Sequence, residues 1–238
     1  MKRAQVSVFF GVVFAAFVGV AQGWTADSRS TAEVAHTDVV RGLSIEELER
    51  RVASGDLDAQ AELGARYGRG DGVPQNVTRA LELIRGAAEK DNADGAYYLG
   101  LSYATGTGVP KNEAQAVLFF ETAAKHGHPA AEYMLGSMIS QGKGGIQANW
   151  ESAISYFWRA ADSGYPPAEF ALGYAYQEGL GTPRNVAAAA YWYRRVDSRA
   201  PHRGAEENLL KLIENGEVEW QQGDPRPRPK ADVSVGTK

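Results

Sequence analysis

The 238-residue chain contains no cysteine. No disulfide can staple it, and neither thiolate catalysis nor a cysteine-ligated metal is open to it. It also lacks an excess of positive charge, with 25 Lys and Arg against 29 Asp and Glu. General binding to nucleic acid or to an anionic membrane surface is therefore not expected. A full membrane-spanning run is missing as well. The apolar stretch from Val6 to Val20 falls short of the ~20 residues that comfortably cross a bilayer.

That stretch follows Lys2 and Arg3 and precedes the small residues Ala21 and Gly23, the pattern of an export signal cleaved before Trp24. No Cys follows it, which excludes a lipoprotein signal. Residues 1–23 are thus expected to be a signal peptide and the mature protein to be periplasmic or secreted. The alternative is an uncleaved anchor, which would be the chain's sole expected link to a membrane. Removing the segment leaves 23 basic against 29 acidic residues, a formal charge of −6. With 44% hydrophobic and 23% charged residues, the bulk of the chain has the composition of an ordinary folded protein.

What the sequence has in abundance is internal repetition. The pair Leu63/Gly64 returns as Leu99/Gly100, Leu135/Gly136 and Leu172/Gly173, at steps of 36, 36 and 37 residues. A fixed period in this range marks stacked structural repeats. An aromatic or aliphatic residue follows each Leu by four positions, at Tyr67, Tyr103, Ile139 and Tyr176, so both lie on one face of a first helix. The Gly costs about 1 kcal/mol of helix propensity relative to Ala, and close approach of a neighbouring helix is the expected offset.

A glycine loop comes next, as in Gly106-Thr107-Gly108-Val109-Pro110, where the chain turns. Asn76, Asn112, Asn149 and Asn185 then stand at the N-cap position of a second helix. Its apolar stripe runs Ala80/Leu83/Ile84/Ala87, Ala116/Phe119/Phe120/Ala123, Ala153/Tyr156/Phe157/Ala160 and Ala189/Trp192/Tyr193. The third loop carries one extra residue and has Gly145 where Val is expected, which suggests looser packing there.

Outside the repeats, residues 24–43 show no periodicity and read as a tether. The capping box Ser44-Ile45-Glu46-Glu47 opens a leading cap helix. A segment with Ala205, Leu209, Leu212 and Ile213 closes the far end, so the folded body is expected over 44–220. Residues 221–238, with Asp224-Pro225-Arg226-Pro227-Arg228-Pro229-Lys230, read as a Pro-rich tail with nothing to bury, favouring an extended polyproline form.

These residues together resemble the Sel-1-like repeat, a relative of the tetratricopeptide repeat, over about four copies from Leu57 to Ala200. The resemblance implies an all-α fold, an α/α solenoid of helix pairs wound into a right-handed superhelix with capping helices at both ends. It also implies a scaffold or adaptor that binds a protein or peptide segment on its concave face, often in bacterial envelopes. The chain lacks the cysteine pairs of one secreted branch, so the enzymatic activity claimed for that branch does not carry over. By analogy with tetratricopeptide packing, the residues two before and two after each Leu look into the groove. That places Tyr97, Leu101, Tyr133, Phe170 and Tyr174 on the expected partner-binding strip.

No catalytic set is legible, and no cofactor is expected. His126 and His128 lack the third and fourth ligands that a metal site needs. Glu132 and Glu169 occupy equivalent positions and read as a repeated solvated face rather than an acid–base pair. Gly136–Gly144 loosely resembles a phosphate loop but has the wrong spacing and no following Ser or Thr. The expectation is a non-catalytic binding module of the cell envelope. A structural subunit of a secretion, motility or polysaccharide-export machine is the alternative, and a cell-wall enzyme is further off.

Overall fold

The structure, a computed structural model, describes residues 39–199 and 202–224. Its helices run α1 (Ile45–Ala53), α2 (Leu57–Arg69), α3 (Val77–Ala88), α4 (Ala93–Thr105), α5 (Glu113–Lys125), α6 (Pro129–Gln141), α7 (Trp150–Asp162), α8 (Pro166–Glu178), α9 (Val186–Arg199) and α10 (Arg203–Glu214). No strand occurs among the described residues. Packing is densest within the pairs α2/α3, α4/α5, α6/α7 and α8/α9, and each second helix also packs on the first helix of the next pair.

The repeated asparagines build these hairpins. Asn76, Asn112, Asn149 and Asn185 each accept, through Oδ1, the amide three residues on, at 2.9–3.1 Å. Their own amides donate back to the carbonyls of Tyr67, Tyr103, Ile139 and Tyr176 at 2.8, 2.8, 3.1 and 2.8 Å. One residue therefore caps the second helix and ties it to the end of the first.

The Leu-Gly glycines sit where the pairs touch. A Cβ on Gly100 would lie 2.8 Å from the Phe120 ring, on Gly136 2.7 Å from Phe157, and on Gly173 2.6 Å from Tyr193. In the first pair Gly64 meets Ile84 in the same way, at 2.8 Å. The offset expected for these costly glycines is thus a close helix crossing. In the third loop Gly145 displaces the apolar residue by one position, and Ile146 packs against the core in its place.

Both ends are capped, and the packed body is longer than expected. Val40 is buried with Leu48, Ala59, Leu63 and Leu83, and Arg66 donates to the carbonyls of Leu43 at 2.7 Å and Arg41 at 2.5 Å. The tether expected to reach residue 43 therefore gives way to packed structure by Val40, whose side chain has a core to enter while its neighbour Val39 stays exposed. At the other end α10 buries Ala205, Leu209 and Leu212 against Phe170, Tyr193 and Val196. Asp224, expected in the free tail, is held by Arg194 through two bonds of 2.7 and 2.8 Å. The expected signal peptide and the tail from Pro225 onward lie outside the described residues. No helix among the described residues is long and apolar enough to cross a membrane.

Candidate binding faces

Tyr97, Tyr133 and Phe170 occupy one register on α4, α6 and α8, but they are not an open strip. Each is buried, at 9%, 3% and 7% exposure. Each tilts onto the second-helix ring of its own pair, Phe120, Phe157 or Tyr193, with centroids 5.8–6.0 Å apart. Each also meets a ring from the start of the next first helix: His128 at 4.3 Å, Tyr165 at 5.6 Å and His202 at 4.6 Å. The three side chains are the joints between repeats. Burial drives the Tyr97 and Tyr133 hydroxyls far above the ordinary phenol range.

Leu101 and Tyr174, the other two residues of the expected strip, are half-buried and reach the surface. Tyr98 on α4 joins them. Burial pushes its hydroxyl up to about 12, with Glu62 and Asp94 adding to the rise and Arg41 and Arg69 opposing it. Beside α6 a crevice of about 10 Å³, room for one water, is lined by Ala104, Glu113, Met134, Ser137, Met138, Gln141 and Lys143. The first-helix face therefore offers the half-open Tyr98 and Leu101 on α4 and an amphipathic ring, Tyr174, on α8. Nothing in the 36-residue pattern singled out Tyr98, because its register holds Glu62, Met134 and Ala171 in the other repeats.

The acidic candidates have structural partners. Glu132 and Glu169 are buried, at 3% and 0% exposure, so the expected solvated face is not what they form. Arg159 pairs with Glu132 at 2.5 Å and donates to the Ala124 carbonyl, while Arg195 pairs with Glu169 at 2.8 Å and donates to the Ala161 carbonyl. Each arginine thereby staples a first helix to the end of the preceding second helix. Burial raises the Glu132 carboxyl and Arg159 partly offsets it.

The histidines are caps. His128 and His202 accept the amides of Ala131 and Ala205 through Nδ1 at 3.2 and 3.1 Å, which leaves Nε2 of His128 to donate to Asp94 at 3.0 Å. Among the described residues no group of three or more His, Asp or Glu could hold a metal. Gly136 lies inside α6 against Phe157, so no phosphate loop forms there.

A stack of helical hairpins capped alike in successive repeats defines a repeat solenoid. The chain belongs to the Sel1 repeat family, whose model matches residues 57–92, 93–128, 129–165 and 166–195. Among solved structures it is similar to c5321, a protective antigen of uropathogenic Escherichia coli displaying this fold, at 32% identity and TM-score 0.67 over 74% of the chain. The match spans only 37% of that protein. A Sel1 repeat protein from Oxalobacter formigenes is 29% identical, with TM-score 0.66, over 72% of this chain and 69% of the other. The immunity protein Pa5087 of Pseudomonas aeruginosa, at 22% identity and TM-score 0.53 over 80% and 76% of the two chains, shares the fold. No curated protein matches the sequence.

Proposed function

We propose that the protein is an exported, non-catalytic scaffold of the bacterial envelope that takes a peptide or protein segment along its first-helix face. Sel1 repeats generally serve as protein-interaction modules. The observation that carries the finer reading is that Leu101, Tyr98 and Tyr174 stay half-open where Tyr97, Tyr133 and Phe170 of the first helices are buried. An aliphatic anchor at Leu101 and a ring with a polar tip at Tyr174 suit a peptide laid across successive first helices. Export is supported by the basic start, short apolar run and small residues before Trp24, and is in keeping with the antigenic character of the E. coli relative.

The test is cross-linked capture from the envelope of the native host, with wild-type protein compared with Leu101→Asp and Tyr174→Ala. A partner recovered by wild type and lost from both variants at unchanged melting temperature supports the reading. Equal recovery by all three overturns it. The mass of the mature chain from the same fraction should begin at Trp24, and an intact Met1 end would replace export with anchoring.

A further inference from the structure

The opposite, second-helix face carries a surface that the binding reading does not use. Trp158 on α7 and Tyr191 on α9 are 42% and 55% exposed, and the buried Trp192 joins them edge-on, with centroids 4.9 and 5.2 Å away. The result is a platform of two exposed rings held on the buried Trp192, which Arg195 covers at 5.2 Å, and it bridges the third and fourth repeats. One helical turn from Tyr191, Arg194 grips Asp224 through Nε and Nη2 and also donates to the Glu219 carbonyl at 3.0 Å. The described chain thus ends pinned beside the platform. Between them lies an open hollow lined by Tyr191, Arg194, Arg195, Ser198, Val218 and Gln221.

We propose that the platform receives this chain's own segment Pro225–Lys230, which follows directly on Asp224 in the sequence. Length permits it: six residues of polyproline II at about 3.1 Å each reach roughly 19 Å, whereas packed helices lie about 8–10 Å apart. Chemistry favours it, because proline rings stack on Trp and Tyr faces and arginines lie flat over them. Charge favours it too. The segment holds Arg226, Arg228 and Lys230 and no acid, while residues 24–224 hold 28 acidic against 19 basic side chains. The arginines of the platform are already matched, Arg159 by Glu132, Arg195 by Glu169 and Arg194 by Asp224. Glu151 and Asp162, on the Trp158 side of α7, are exposed and make no ion pair among the described residues.

Because the chain has no cysteine of its own, the contact can be read by paired substitutions in the full-length protein. Ser155→Cys with Pro227→Cys places one thiol beside Trp158 and one in the segment; Thr105→Cys with Pro227→Cys is the first-helix-face control. In a glutathione buffer the first pair should close an intramolecular disulfide about tenfold faster than the control, as a raised local concentration requires. Adding Trp158→Ala, or Arg226→Ser with Arg228→Ser and Lys230→Ser, should remove the advantage, and high salt should reduce it. The three-fold segment substitution leaves the packed body untouched, so it reads docking even if Trp158→Ala disturbs α7. Equal closure rates for the two pairs, or an advantage that survives both sets of substitutions, overturns the proposal. So does a disulfide-linked dimer as the main product, which would place the segment on a second copy.

Discussion

His128 and Asp94 meet across the joint between the second and third repeats, Nε2 to Oδ1 at 3.0 Å, with both side chains buried. The same joint one repeat earlier is made by Asn92 and Asp58, Nδ2 to Oδ1 at 2.6 Å. In each case the residue that caps the incoming helix turns its second polar atom to an aspartate of the repeat before. His128→Ala removes a cap and leaves Asp94 short of a donor, so it should cost on the order of 1–3 kcal/mol. That corresponds to a melting-temperature fall of about 2–4 °C per kcal/mol in a domain of this size. His128→Asn keeps both hydrogen-bonding functions, as Asn92 does, and should lose less; equal losses in the two variants would mean that ring stacking on Tyr97 is what matters.

Two glycine substitutions should shift stability in opposite directions. At Gly100 a methyl group meets the Phe120 ring at 2.8 Å, and Gly100→Ala should destabilise by about 1–3 kcal/mol through overpacking. At Gly68, also inside a helix, the nearest atom is Ala80 Cβ at 3.6 Å, so Gly68→Ala should raise stability by up to about 1 kcal/mol through helix propensity. Denaturant melts of the pair settle it, and two changes of the same sign would contradict the assignment of Gly100 as a packing glycine.

Tyr97→Ala should lower stability by about 3–5 kcal/mol, since it empties a joint between Phe120 and His128. Tyr174→Ala, at a half-open site, should cost far less. A Tyr97→Ala protein that melts with wild type would return that ring to the partner-binding strip.

The Glu132 carboxyl titrates higher in the folded protein than in the unfolded chain, chiefly because it is buried. The folded state therefore holds its proton longer, and the contribution of Glu132 to stability falls as pH rises from about 4.5, the unfolded value, through the raised folded one. Glu132→Gln cannot titrate. Its stability relative to wild type should climb across that window and then level off, which urea melts at a series of pH values would reveal. A relative stability that falls with rising pH would show that Arg159 outweighs burial.

The hairpins were legible because their markers recur: Leu-Gly, the loop glycines and the asparagine caps each stand in four registers. The direction of the Tyr97 row was not. In α6 every residue from Ala131 to Ser140 is buried, and a helix closed on all sides has no polar stripe to orient it. The Asp94–His128 joint was hidden by its change of chemistry, since the equivalent positions hold Asp58 and Asn92 before it and Ala130 and Tyr165 after it. The Glu–Arg staples did leave a trace, because Arg159 and Arg195 repeat as faithfully as Glu132 and Glu169. Reading the carboxylates without the arginines is what made them look solvated.

The shared geometry of the joints makes the chain divisible in whole units. Excising 93–128 would leave Asn92 directly ahead of Pro129, able to cap α6 while still reaching back to Asp58. Excising 129–165 would leave His128 ahead of Pro166, with Asp94 and Tyr97 still beneath it. The residue ahead of each of these two cuts keeps a partner from its own repeat, Asn92 with Asp58 and His128 with Asp94, so the span of the stack can change by a repeat without any new joint having to be invented.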